Sequence, residues 1–293
     1  MTDELSLTAK KRRIGDKIMY ALIYISSAFS VLLLVGIIAY VIVKGIRQVN
    51  FSFLTTVTSA LKGTIGIAGN IVNTLMIVII TMLVATPIGV GAAIYLNEYA
   101  KPGKLVNLIE FATETLSGIP SILFGLFGYM FFGQTLGLGY SILTGSLTMV
   151  LMVLPLVTRN TQEALKTVPD SYRHGAVGLG AGKWYTIRTI LLPSAMPGII
   201  TGVILAVGRI VGESAALLLT AGSGKALPKS VAQIFDKIFQ SGGTLTTQLY
   251  LSATAEGDFS TAFGIALVLL VLVFAINMAT KSMAAKFDVT RKK

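Results

Sequence analysis

Five stretches of this chain run for more than twenty positions with almost no charge: Ile18–Val43, Ile71–Leu96, Leu136–Thr158, Gly198–Thr220 and Phe259–Thr280. The first covers 26 positions without a single ionisable side chain. Each is longer than the roughly 20 residues that carry a helix across the hydrocarbon core of a bilayer. Inside hydrocarbon every backbone N–H and C=O must be satisfied within the segment, so such runs fold as helices. Only the fourth run holds charges, Arg209 and Glu213. A sixth segment, 106–132, is mixed. Its first half carries Glu110 and Glu114, and its second half, from Gly118 to Phe132, is apolar. This reads as a surface helix leading into a short or broken span. The expected fold is an all-α integral membrane protein with six transmembrane helices.

Composition supports that reading and removes its rivals. Hydrophobic residues make up 54% of the 293 positions and charged residues 13%, against about 25% charged in soluble domains. A soluble enzyme and a disordered chain are both excluded. With no cysteine and one histidine, a disulfide scaffold and a Cys/His zinc site are excluded too. A Ser-His-Asp triad would have to rest on His174. No G-x-x-x-x-G-K-[ST] pattern occurs, so ATP is not bound here through a P-loop.

Basic residues set the orientation. With six spans and both ends inside, the inside segments (1–17, 97–105, 159–197 and 281–293) hold 17 Lys and Arg, while the outside ones (44–70, a short turn at 133–135, and 221–258) hold 6. That bias predicts cytoplasmic termini. It accounts for the net charge of +11 through contact with anionic lipid, without nucleic acid. The run Lys10–Arg13 is expected simply to fix topology. The first apolar run is too long for a signal-peptide core, and no A-x-A cleavage site follows.

The inside loop 159–197 is built rather than slack. Its first residues favour helix, Pro169 interrupts, and Asp170, with Ser171 as rival, can cap a new helix reaching about Leu179. Gly178, Gly180 and Gly182 mark a tight turn. A third helix, Lys183–Leu191, should end before Pro193. Helix, turn and helix on one side make a knob suited to a soluble partner. His174 reads as a solvated loop side chain. Trp184 reads as an interface anchor, or else as a packing residue for that partner.

Arg209 stands about midway along its run, where an arginine costs about 2.5–3.5 kcal/mol on insertion scales. Glu213 follows four residues later, on the same face if the helix is continuous. The pair can be a structural lock. It can also form a site on an anion path, with Arg209 toward phosphate oxygens and Glu213 holding or screening it. Gly118 and Pro120 can kink a helix or break it to line a pathway. Glu110 and Glu114 read as the polar face of a surface helix.

The inside loop resembles a known pattern. Ala176, Gly180, Ile190, Leu192 and Pro193 sit as in the E-A-A, three residues, G, nine residues, I-x-L-P loop of ABC-importer permeases. His174 stands at the Glu position and Gly175 at the first Ala. Leu116-Ser117-Gly118-Ile119-Pro120-Ser121-Ile122 with Phe124-Gly125-Leu126-Phe127 resembles the phosphate-importer permeases within that family. So do Gly208-Arg209 and Gly212-Glu213-Ser214, and the likeness covers roughly 66–283. It implies a five-helix (MetI-like) permease core at 71–280, with the first span, 18–43, packed around it. It implies that Arg173, His174, Gly175, Ala176, Gly178, Gly180, Ala181 and Lys183 couple to an ATPase pair. It places Pro120, Ser121, Arg209, Glu213 and Ser214 on the substrate pathway. The partners implied are a second related permease, the ATPase pair and an extracytoplasmic phosphate-binding protein. ATP and Mg would be held by the ATPase, with no cofactor and no covalent chemistry in this chain. Two alternatives are a permease for sulfate, molybdate or phosphonate and an ion-coupled secondary transporter. A non-transporting scaffold or regulator is the third.

Overall fold

A computed structural model describes residues 14–59, 63–228 and 230–287. The basic run Lys10–Arg13 and the last six residues lie outside the described residues. The described residues are mostly helical, with one small hairpin among them of β1 (Val57–Ser59) and β2 (Thr64–Ile67), paired antiparallel through Val57 and Ile67.

Among the described residues, five helical stretches are long and apolar enough to span a membrane. They are α1 (Ile14–Gly45), α3 (Ala68–Ile94) with a π-helical end at Tyr95–Tyr99, α6 (Ile142–Lys166), α9 (Leu192–Gly212) and α13 (Phe259–Phe287). The sixth crossing is a bent pair. The helix α4 (Lys104–Ser117) meets α5 (Ser121–Gly128), continued by a π-helical turn at Tyr129–Thr135, at 104°. Proline at 120 removes a backbone donor and glycine at 118 frees the chain, so the helix breaks where the sequence predicts. Shorter helices are α2 (Phe51–Thr55), α7 (Asp170–Gly178), α8 (Lys183–Thr186), α10 (Ala215–Thr220), α11 (Val231–Ile238) and α12 (Leu245–Thr254).

The centre is a three-helix column of α3, α6 and α9, whose buried faces include Ile77, Met149, Val153 and Ile210. Small residues bring these backbones together, as they do in lipid where no hydrophobic force favours one apolar neighbour over another. A Cβ at Gly198 would stand 2.6 Å from the Cβ of Ala164, and one at Gly202 2.6 Å from the Cβ of Asn160. These two contacts fix an antiparallel register between α9 and α6.

Several boundaries differ from the sequence reading. Residues 136–141 form the outer turn in place of 133–135, with positive φ at Gly137 and Gly139. The helix α6 therefore starts at Ile142, capped by the Ser141 hydroxyl, which accepts from the Thr144 N–H. Pro193 does not end a helix either. From Lys183 to Gly212 the chain is one span, with a π-helical turn at Ile187–Leu191. Proline is tolerated in a first helical turn, and the wider π turn before it absorbs the missing bond.

Candidate functional site

The Arg209 region departs from expectation in its geometry. The helix α9 stops at Gly212, and Glu213 is extended (φ −79, ψ 130). The two residues therefore do not share a helix face, and among the described residues they form no ion pair. The Glu213 carboxylate instead accepts from the Ala216 N–H at 3.2 Å, closing the first turn of α10. Its carbonyl accepts from the Thr246 hydroxyl at 2.7 Å. Glu213 is thus committed to the backbone and does not screen Arg209, which is exposed on the surface of the chain. The register of Gly198 on Ala164 and Gly202 on Asn160, carried up the helix, brings Arg209 level with Val153. That is close to the middle of α6. The arginine is in the last turn of its helix, yet level with the middle of the neighbouring α6.

The two breaks adjoin. Gly125 of α5 lies so close to α10 that a Cβ there would stand 2.8 Å from the Cα of Ala216. One turn below that contact, Pro120 and Ser121 begin α5, while Glu213 and Ser214 lead into α10. Two interrupted helices side by side leave irregular backbone, which within a bilayer is tolerated where it faces protein or a watery cavity. Below them an apolar cavity of about 640 Å³ lies among α3, α4, α5 and α6, lined by Leu116, Ile119, Phe124 and Leu154 among others. Beside it Glu110 and Glu114 share a polar cleft with Arg159, Glu163 and Lys166.

The knob expected from the 159–197 loop is α7 and α8. Asp170 is the first residue of α7 rather than its cap, and its carboxylate pairs with Arg173 at 3.0 Å. The end of α7 explains the glycine of the loop pattern. The Gly180 N–H donates to the Val177 carbonyl and the Ala181 N–H to the Ala176 carbonyl, both at 2.9 Å. Gly180 itself sits at φ +78. This is a Schellman cap, and its left-handed position favours glycine. Nothing lies within 4 Å of where a Cβ would be, so backbone conformation, not space, selects the residue. Ala176 is buried against the bundle. His174, Gly175, Gly178 and Lys183 are exposed, and Ala181 is half-buried. The tip is apolar and bare: Leu179 is 91% exposed and Val177 66%, with Trp184 and Tyr185 beside them. Exposed apolar patches of this kind mark interaction sites.

Arg173 behaves otherwise. It faces inward, onto Glu98 at the end of α3, and the sequence reading missed Glu98 altogether. It also missed the buried amides of Asn70 and Asn73, which bond to the backbone of the loop at 224–244. Both asparagines open an apolar run, a visible signal, but their partners lie some 170 residues away.

Residues 85–289 match the family described as binding-protein-dependent transport system inner membrane component. The chain belongs to this family. Among curated proteins the permease is 41% identical over 211 residues to the probable ABC transporter permease protein YqgI of Bacillus subtilis, covering 72% of each chain. It is 32% identical over 291 residues to the phosphate transport system permease protein PstA of Mycobacterium leprae, covering 96% of this chain and 92% of that one. Among solved structures it resembles a chain of a bacterial alginate ABC transporter, with TM-score 0.69 and 13% identity over 94% of this permease and 96% of that chain. A chain of the MetNI methionine transporter gives TM-score 0.59 at 17% identity, over 75% and 95%. At such identities the structural likeness establishes the fold, that of an ABC-importer permease in a multi-pass arrangement.

Proposed function

We propose that this permease is the PstA-type membrane subunit of a bacterial phosphate importer. The observation that carries the reading is the similarity to a phosphate transport permease along 96% of the chain. The subunit sits in the cytoplasmic membrane with both termini inside, as the 17-to-6 distribution of basic residues supports. It pairs with a second, related permease, and phosphate passes between the two. Arg209, bare and near mid-depth, offers guanidinium donors to phosphate oxygens. The breaks at Pro120–Ser121 and Glu213–Ser214 give the path its irregular wall.

On the inside, an ATPase pair grips the α7–α8 knob through Leu179, Val177 and their neighbours. ATP and Mg are held by that pair and not by this chain, which catalyses no covalent step. On the outside, a phosphate-binding protein docks over 44–70 and 221–258, where Phe235 and Phe239 of the α11 segment are exposed. ATP binding closes the pair, the knob moves, and the spans rock about the path.

The test is uptake of radiolabelled phosphate at low concentration in cells lacking this gene and any second high-affinity system. Wild type should restore uptake, and Arg209→Ala should not, although its complex assembles. Uptake that phosphate does not compete for, but sulfate, molybdate or phosphonate does, would reassign the solute. Wild-type uptake by Arg209→Ala would remove Arg209 from the path.

A further inference from the structure

The knob is fastened to the bundle in part by a charged joint, and that joint is not on its exposed face. The Arg173 guanidinium donates to Glu98 Oε1 at 2.8 Å through one terminal nitrogen, and through Nε to both carboxylate oxygens at 3.3 and 3.4 Å. The same terminal nitrogen reaches the Leu165 carbonyl at 3.1 Å, and the other reaches the Val168 carbonyl at 3.0 Å. One side chain thereby ties α7 to the end of α3 and to the end of α6. The pair is largely sequestered, with Arg173 22% and Glu98 8% exposed at the side chain. Nearby, Lys183 at the start of α8 places its ammonium 4.7 Å from the centre of the Tyr99 ring. Both coupling helices therefore land on Glu98 and Tyr99, the π-helical end of α3.

A side chain held this way is not available to a docking ATPase. Planar, multiply bonded arginine is suited to fixing one element against another, because its donors are arranged in a rigid fork. π-helical turns are local departures from the α ladder that recur at functional sites. A cavity of about 260 Å³ lies beside the pair, bounded by Val177, Lys183, Ile187 and Leu191. Packing through Ile187 and Leu191, which follow α8, ties it to the end of α6, while the charged pair is a direct contact from α7 to the end of α3.

We infer that Glu98 and Arg173 form the joint that carries movement of the coupling helices into α3, with Arg173 a positioning residue and not an ATPase contact. This rests on the reading of the chain as an importer subunit. The experiment purifies the whole importer carrying Glu98→Gln, Arg173→Gln, the double variant, or Arg173→Lys. It measures ATPase-subunit content, ATP hydrolysis with and without phosphate-loaded binding protein, and uptake into proteoliposomes. Each single Gln variant should keep its ATPase subunits yet lose phosphate transported per ATP by about tenfold, within the range usual for coupling between sites. The double variant should be no worse than the poorer single, since both remove one joint. Arg173→Lys, which keeps the charge but not the fork, should recover part of the ratio.

An unchanged transport-to-ATP ratio in Glu98→Gln would overturn the joint. Loss of ATPase subunits from Arg173→Gln but not from Glu98→Gln would return Arg173 to the docking face and overturn it as well. Failure of the importer reading looks different, because the wild-type preparation would then move no phosphate.

Discussion

At the end that carries α7 and α8 the permease fastens a helix with charge, and at the opposite end it fastens a loop with neutral amides. The inner joint is Arg173 against Glu98, where bonding to the carboxylate keeps the guanidinium firmly protonated. The outer loop, 221–245, is held by Asn70 and Asn73, whose amide nitrogens donate to the Gly224, Gly243 and Thr244 carbonyls. The start of α6 joins in, with the Ile142 N–H donating to the Gln240 carbonyl and the capping Ser141 N–H donating to the Thr220 carbonyl at the end of α10. Lys237 is the exception there. It is 3% exposed, its ammonium donates to the Ser241 carbonyl at 2.8 Å, and burial pushes its pKa down. The difference suits the two tasks. Amide-to-carbonyl bonds hold one short-range geometry and suit a part that stays put. A charge pair acts over longer distance and keeps hold while its geometry changes.

The contrast can be broken from the middle outward. Gly202→Leu would force a branched side chain into Asn160 and part α9 from α6, disturbing both ends at once. Overpacking of this kind costs about 1–3 kcal/mol or more. The expected outcome is little complex recovered on purification. Normal recovery would mean the column is looser than its contacts suggest.

Asn73→Leu acts on the outer end alone. It deletes two amide donations while leaving the Gly224 and Gly243 carbonyls their other partners, so about 2 kcal/mol of local stability should go. Hydrogen exchange should quicken across 221–245, while the ratio of transport to ATP hydrolysis stays as in wild type. Gly180→Ala acts on the inner end alone. Forcing alanine to φ +78 costs about 1–2 kcal/mol, and Gly180→Asn should cost less. Uptake should fall severalfold with exchange in 221–245 unaltered.

The smallest effect concerns Asp258, which begins α13 by accepting from the Thr261 N–H. Hydrogen bonding by Thr261 holds its carboxyl below the usual range. Its contribution is therefore present above the unfolded value near about 4, and is lost as pH falls through the lower folded value. Asp258→Asn should remove a few tenths to about 1 kcal/mol at neutral pH and flatten the acid limb of thermal unfolding. An acid limb identical to wild type would show the cap to be idle.

Much of this was readable before any coordinates. The spans followed from uncharged runs, the bent crossing from Gly118 and Pro120, and the knob from Pro169 and Gly180. These are local signals, each written within a few residues. Glu213 escaped because its role depends on where α9 stops, and no proline marks Gly212. Arg173 was visible, but its partner Glu98 lies 75 residues away, and a lone carboxylate closing an apolar run does not announce which arginine it meets. The outer loop escaped for the same reason, since 221–245 is rich in Gly, Ser and Thr and reads as slack until Asn70 and Asn73 are brought to it.

The first helix has a consequence of its own. None of its apolar window is buried within the chain. It meets the rest through Gly45 against Phe263 and Leu267 and through Tyr40 edge-on to Phe263. Its docking site therefore belongs to α13, the most distant described span along the chain. During translation α1 must enter the bilayer as a free-standing anchor, stable in lipid unaided, and wait there until α13 emerges. Closure of the bundle is then a late event in biogenesis. Premature termination ahead of α13 would leave α1 inserted but unmated, a species that membrane quality control could recognise by its orphaned first helix.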